Sequence, residues 1–127
     1  MTQKHLIYPE KVRRVPKQFS WVDHRLVRDH LIEQCSHQAL ALYLFLVTVG
    51  DQQGLSYYSD RSVGARLAMD SAVLLRSRNE LIRAKLIAYR KPLYQVLSLE
   101  PLKVARTNLD EPMAVGQILK QLAGGTS

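Results

Sequence analysis

The sequence predicts an α+β domain, mainly helical with one small β-hairpin. Apolar residues recur at helical spacing between Ser36 and Ala84. Two short alternating runs rich in β-branched and aromatic residues then flank Lys91-Pro92, the pattern of an antiparallel hairpin. Size and composition agree: 127 residues, 46% hydrophobic and 23% charged, suit one domain with a modest core and argue against wholesale disorder.

Three parts follow one another along the chain. Residues 1–35 form a basic N-terminal extension with a short helix, interrupted by Pro9 and Pro16. Residues 36–100 hold the dense apolar periodicity. Residues 101–127 are a polar tail ending Gly124-Gly125-Thr126-Ser127, in which Met113, Ile118, Leu119 and Leu122 line one side of a possible short helix.

In the extension, KVRRVPKQFSWV is expected to be extended, because Pro16 disfavours helix at Val15. Asp23 can cap a helix through His24, Leu26, Val27, Leu31 and Ile32. Ser36 can cap the next helix, reaching about Val49. Leu40, Tyr43, Leu44 and Val47 keep its rhythm while Leu42, Phe45 and Leu46 fill other faces, so this helix is expected at the centre of the core. Gly50 and Gly54 bracket a turn, and Leu55-Ser56-Tyr57-Tyr58 leaves room for a short strand. Ser59 or Asp60 caps a helix carrying Val63, Gly64 and Leu67, and Ala68-Met69 makes a tight connection. Asp70 or Ser71 caps a further helix, about 71–84, whose inward residues are Leu74, Ser77 or Arg78, Leu81 and Ile82. Residues 86–90 and 93–99 are the strands of the hairpin.

Between Ser59 and Leu99 the sequence SDRSVGARLAMDSAVLLRSRNELIRAKLIAY and the strands after it resemble the winged helix-turn-helix superfamily. Val63-Gly64 occupies the hydrophobic-small pair, and Leu67, Met69, Leu74, Leu81, Leu86 and Ile87 take core positions. The resemblance implies a helix-turn-helix whose last helix enters the DNA major groove, supported by the hairpin as a wing. The core also looks like the DNA-binding domains of bacterial replication-initiator and mobile-element proteins, where a basic lead-in of the VPKQF type comes first. Two positions depart from the pattern: Ala68 stands where many such turns have glycine, and Lys85 where glycine ends the recognition helix. Positive φ at Lys85 would cost ~1 kcal/mol. Arg78 falls near an inward position, so its stem is expected to pack while its head reaches the edge.

Charge points the same way. The chain carries 18 Lys and Arg against 11 Asp and Glu, net +7, which favours a polyanionic partner. Most of that excess lies between Asp60 and Lys91, where Arg61, Arg66, Arg76, Arg78, Arg83, Lys85, Arg90 and Lys91 face only Asp60, Asp70 and Glu80. If Leu74 and Leu81 point inward, Ala72, Leu75, Arg76, Asn79 and Arg83 point outward. Candidate base contacts are therefore Ser71, Ala72, Leu75, Arg76 and Asn79, led by Arg76, whose fork matches guanine. Leu75 suits either a thymine methyl or a protein partner. Arg61, Arg66, Arg83, Arg90 and Lys91 are candidate phosphate contacts. Lys11, Arg13, Arg14 and Lys17 form a second basic cluster. Arg13 and Arg14 are counted as phosphate contacts if the segment is an arm reaching a groove; alternatively Phe19 and Trp21 anchor it to the domain.

The expected function is thus binding of double-stranded DNA in transcriptional regulation or replication initiation, with a protein–protein interaction module on the same scaffold as the alternative. No enzyme, metal or cofactor is expected. His24, His30, Cys35 and His37 match no zinc spacing, and no phosphate-binding loop, dinucleotide fingerprint or catalytic triad order is present. Tyr57, Tyr58, Tyr89 and Tyr94 could stack single-stranded bases, but their strand positions favour core and hairpin packing. Cys35 is the sole cysteine, so no intrachain disulfide forms. The uncharged stretch Ala39–Val49 falls short of the ~20 residues of a membrane span, and MTQKHLIYPEKVRR lacks a secretory signal core. A cytoplasmic location without membrane attachment is expected, and a homodimer or protein contact through the tail is possible on this reading.

Overall fold

Side-chain oxygens start three of the helices, at the positions where the sequence places cap residues. Ser36 Oγ accepts from the Ala39 amide at 3.1 Å and opens α2, His37–Val49. Ser59 Oγ accepts from Ser62 N at 3.1 Å and opens α3, Asp60–Leu67. Asp70 Oδ1 accepts from Val73 N at 2.8 Å and opens α4, Ser71–Arg83. Each bond satisfies an amide that the first helical turn leaves without a partner. The structure, a computed structural model, describes residues 3–100.

The fold is α+β: four α-helices and a three-stranded antiparallel sheet among the described residues. A one-turn helix α1, Arg25–Arg28, precedes α2; β1, Leu55–Tyr57, separates α2 from α3; β2, Ile87–Arg90, and β3, Leu93–Val96, follow α4. Short 3-10 turns cover Pro9–Lys11 and Ile32–Gln34. The hairpin register pairs Ile87 with Val96 and Arg90 with Leu93, leaving Lys91-Pro92, a cis peptide, as the loop. Strand order is β1-β3-β2, so β3 is central, and Ser56 of β1 lies opposite Tyr94.

The core joins these elements. Ala39, Leu42, Tyr43 and Leu46 of α2 meet Leu74 and Leu81 of α4, with Val63, Leu86, Ile87, Tyr94 and Leu26 closing the cluster. A hydrogen-bonded carboxylate reinforces this packing, since Glu80 of α4 accepts from Ser36 N at 2.7 Å and from Ser36 Oγ at 3.0 Å. The negative group therefore sits on the N-terminus of α2, where the helix dipole favours it.

Several expectations are corrected here. The helix after Asp23 ends at Arg28 and does not continue to Ile32. His30 takes φ 63°, and the chain turns so that Leu31, Ile32 and Cys35 pack on the core from a separate 3-10 turn. Asp23 still bonds the Arg25 amide at 2.9 Å. Helix α2 is not buried on all sides: Ala41 is exposed and Leu44 is 62% exposed. Ile82, expected inward, lies at the exposed edge of α4. The second hairpin strand stops at Val96 and not at Leu99. Tyr57 projects into solvent, whereas Tyr94 is buried and Tyr58 packs edge-on against Phe45. Phe19 and Trp21 are not buried anchors, and Trp21 is 73% exposed. They border an open cleft of about 910 Å³ together with Tyr43, Val47 and Leu99. The proposed tail helix at Met113–Leu122 lies outside the described residues.

Candidate nucleic-acid interface

Helix α4 divides into two faces at the spacing its sequence dictates. Leu74, Ser77, Arg78 and Leu81 are buried. Ser71, Ala72, Leu75, Arg76, Asn79 and Arg83 are exposed. Ala72, Arg76, Asn79 and Arg83 fall at intervals of three and four, so they share one side of a rod ~20 Å long. Leu75, 52% exposed, adjoins that side.

Both ends of the rod are fixed. At its start, Asp70 caps the first turn. At its end, Lys85 N donates to Ile82 O and Leu86 N to Leu81 O, both at 3.0 Å, with Lys85 at φ 63°. This is the paired-bond termination that glycine usually serves, and buried Leu81 and Leu86 supply its apolar contact. Lysine accepts the left-handed conformation because the same bonds aim the chain into β2.

The connection between α3 and α4 is equally tight. Ala68 has φ 54°, and the amides of Ala68 and Met69 both donate to Gly64 O. A Cβ on Gly64 would come within 2.8 Å of Met69 O. The small residue that the sequence pairs with Val63 is thus needed where α3 turns into α4, and the group that comes close to it is the carbonyl of the turn.

Each acidic group of the segment already has a hydrogen-bond partner within the chain. Asp60 Oδ1 accepts from Arg78 at 2.8 Å, Asp70 caps α4, and Glu80 holds Ser36. Among the described residues, no carboxylate lies within ion-pair distance of Arg61, Arg66, Arg76, Arg83, Lys85, Arg90 or Lys91, and all of these are exposed. The surface of α3, α4 and the hairpin therefore carries basic groups whose charge is not cancelled locally. Such a surface attracts polyanions with a strength that falls as salt rises.

Arg78 departs from its expected role. Its head does not reach the edge: the residue is 6% exposed. The Nη1 group donates to Asp60 and, at 2.9 Å, to the Tyr94 hydroxyl, while the guanidinium carbon sits 4.2 Å from the centre of the Tyr89 ring. Burial works against the charge, but the bonds to Asp60 and Tyr94 outweigh it and raise the pKa. Burial likewise raises the phenol of Tyr94. Arg78 is thus withdrawn from the exposed basic set. No sequence signal marks the cluster, because its partners lie 18 and 16 residues away.

Arg13 and Arg14 are exposed in a segment without helix or strand. No hydrogen bond or ion pair of the described residues joins them to α4. Further along, Ser20 Oγ donates to Thr48 O at 3.3 Å, which brings this segment beside the C-terminal end of α2. Asp23 there is held at a pKa of about 2, chiefly by the Arg25 side chain and amide. Burial raises the Cys35 thiol, with nearby Glu80 adding to the effect, so it is a poor nucleophile. Among the described residues, no group of His, Cys, Asp and Glu is placed to share a metal ion, and no helix is long and apolar enough to cross a membrane.

The chain was compared with family models, curated proteins and solved structures, and it matches none of them.

Proposed function

We propose that this chain is a winged helix-turn-helix protein that reads double-stranded DNA by inserting α4 into the major groove, with the β2–β3 hairpin as the wing. One observation carries the reading. The exposed side of α4 bears Arg76, Asn79 and Arg83 while every carboxylate of its segment is occupied elsewhere. The order helix, strand, helix, helix, hairpin supports it, as does a sheet in which the first strand pairs with the last.

On this reading Ser71, Ala72, Leu75, Arg76 and Asn79 meet base edges, and Arg61, Arg66, Arg83, Arg90 and Lys91 meet phosphates. Arg13 and Arg14 add phosphate contacts if their segment swings onto the same duplex. The protein acts as a binder and not as an enzyme, in transcriptional regulation or replication initiation. Its division into an extension, a DNA-binding domain over 36–100 and a tail belongs to the same proposal, as does self-association or partner contact through the tail.

Leu75 and Ile82, both exposed on α4, favour a second reading in which the same face docks on a protein. Salt separates the two. Fluorescence polarisation with a randomised duplex pool, followed by sequencing of the bound fraction, should recover an enriched motif. Affinity for that motif should fall steeply with added salt. Absence of enrichment, or an affinity indifferent to salt, sets the DNA reading aside in favour of the protein contact.

A further inference from the structure

We propose that Arg78 is a positioning residue that fixes the hairpin against α4 and thereby places Arg90 and Lys91. The inference rests on the DNA reading only for what those two residues then touch.

A single guanidinium joins four elements. Arg78 springs from the middle of α4, bonds Asp60 at the start of α3, bonds Tyr94 of β3 and lies over Tyr89 of β2. Tyr89 and Tyr94 are register partners, with ring centroids 4.5 Å apart. The next pair outward is Arg90 with Leu93, and beyond it comes the Lys91-Pro92 loop. The arginine therefore grips the hairpin one pair from its tip, directly below its two cations. The Leu86-to-Leu81 bond and the packing of Ile87 in the core fasten the opposite end of the strand, where the chain enters β2. At the tip, Tyr57 lies opposite Leu93 and Tyr58 N donates to Pro92 O at 3.2 Å, which ties the hairpin to β1. Arg78 ties the same end to α4, and the two together set its angle to that helix.

The choice of arginine supports positioning over mere filling. Burying a guanidinium gives little net stability over an apolar residue of similar size, because its desolvation offsets the attraction of the half-exposed Asp60. What it does give is direction. A planar guanidinium satisfies two acceptors and stacks on a ring in one orientation, whereas a flexible apolar chain fills the same space in several. Tyr94 and Asp60 are thus held in a defined relation to α4 as well as packed near it.

The 127-residue chain tests this with Cys35→Ser as background. Spin labels on Ala72→Cys of α4 and Lys91→Cys of the loop report the distance between helix and hairpin without DNA. With Arg78 present, one narrow distribution is expected; Arg78→Met should broaden it while far-UV circular dichroism is unchanged. A folded Arg78→Met chain with an equally narrow distribution overturns the proposal. Should Arg78→Met not fold, Arg78→Lys keeps the charge and gives up the flat face over Tyr89, and the same broadening decides the matter.

The unlabelled chain provides a second readout. Replacing Arg90 and Lys91 by alanine should weaken duplex binding about tenfold at low salt when Arg78 is present, and less than about twofold when it is methionine. Equal losses in both backgrounds overturn the proposal. If the unaltered chain binds no duplex at all, the DNA reading fails, and the label distances still decide the role of Arg78.

Discussion

At the residue scale, Arg76 and Arg78 show how position divides two like side chains. They stand two apart on α4. One is exposed with no carboxylate partner among the described residues, and the other is buried between an aspartate, a phenol and a ring. Arg76→Ala should therefore cost ~1–3 kcal/mol on a preferred duplex and clearly less on random DNA, measured by competition at fixed salt. Equal losses on both would remove its assigned role in base contact. Asp23 gives a prediction of another kind. Its carboxylate is stabilised in the folded chain and titrates at about 2, below its ordinary value of 3.8. Its contribution is then complete above pH 4 and disappears as pH falls from about 4 towards 2. Thermal melts across that window should show an acid-side loss that Asp23→Asn reduces.

At the element scale, much of the fold was legible because its signals are local. Ser36, Ser59 and Asp70 each combine a short acceptor side chain with an apolar rhythm just downstream, and each caps the helix that follows. Helix α1 was not legible in full. Leu26, Leu31 and Ile32 fit a helical period, but the chain reverses at His30, a residue with no turn signature. The inward head of Arg78 and the Glu80–Ser36 bonds were hidden for a different reason, since they join residues far apart in sequence. The exposed face of α4 was readable because burying Leu74 and Leu81 leaves Arg76 and Asn79 only one place to go. The junctions of α4 yield two stability predictions, both checked by denaturant unfolding. Lys85→Gly should stabilise the fold by up to ~1 kcal/mol, because it relieves a left-handed conformation at an exposed side chain. Gly64→Ala should destabilise it by ~1–3 kcal/mol, since the new methyl meets a backbone carbonyl that cannot yield without moving the turn. That clash outweighs the ~1 kcal/mol by which alanine favours a helix.

At the scale of the whole molecule, distribution of charge matters more than its total. The formal charge is +7, and the stretch from Asp60 to Lys91 supplies most of it on exposed, unpaired groups. Helix α2 contains no lysine or arginine and turns apolar side chains to the interior and, at Leu44, to solvent. A chain with Arg61, Arg66, Arg83, Arg90 and Lys91 all changed to glutamine should bind every duplex more weakly, with a visibly shallower dependence of affinity on salt. An unaltered salt slope in that variant would assign the attraction to the N-terminal arginines instead.

The central place of β3 sets the timetable on which the chain can complete itself. Both ladders of the sheet run through a strand that emerges from the ribosome after every helix described above. A nascent polypeptide ending before Leu93 thus has β1 and β2 without their common neighbour, and Arg78 without the hydroxyl it donates to. The sheet and the Arg78 cluster are complete only once residues 93–96 have been synthesised, so premature termination just short of them should yield a helical product that protease digests readily.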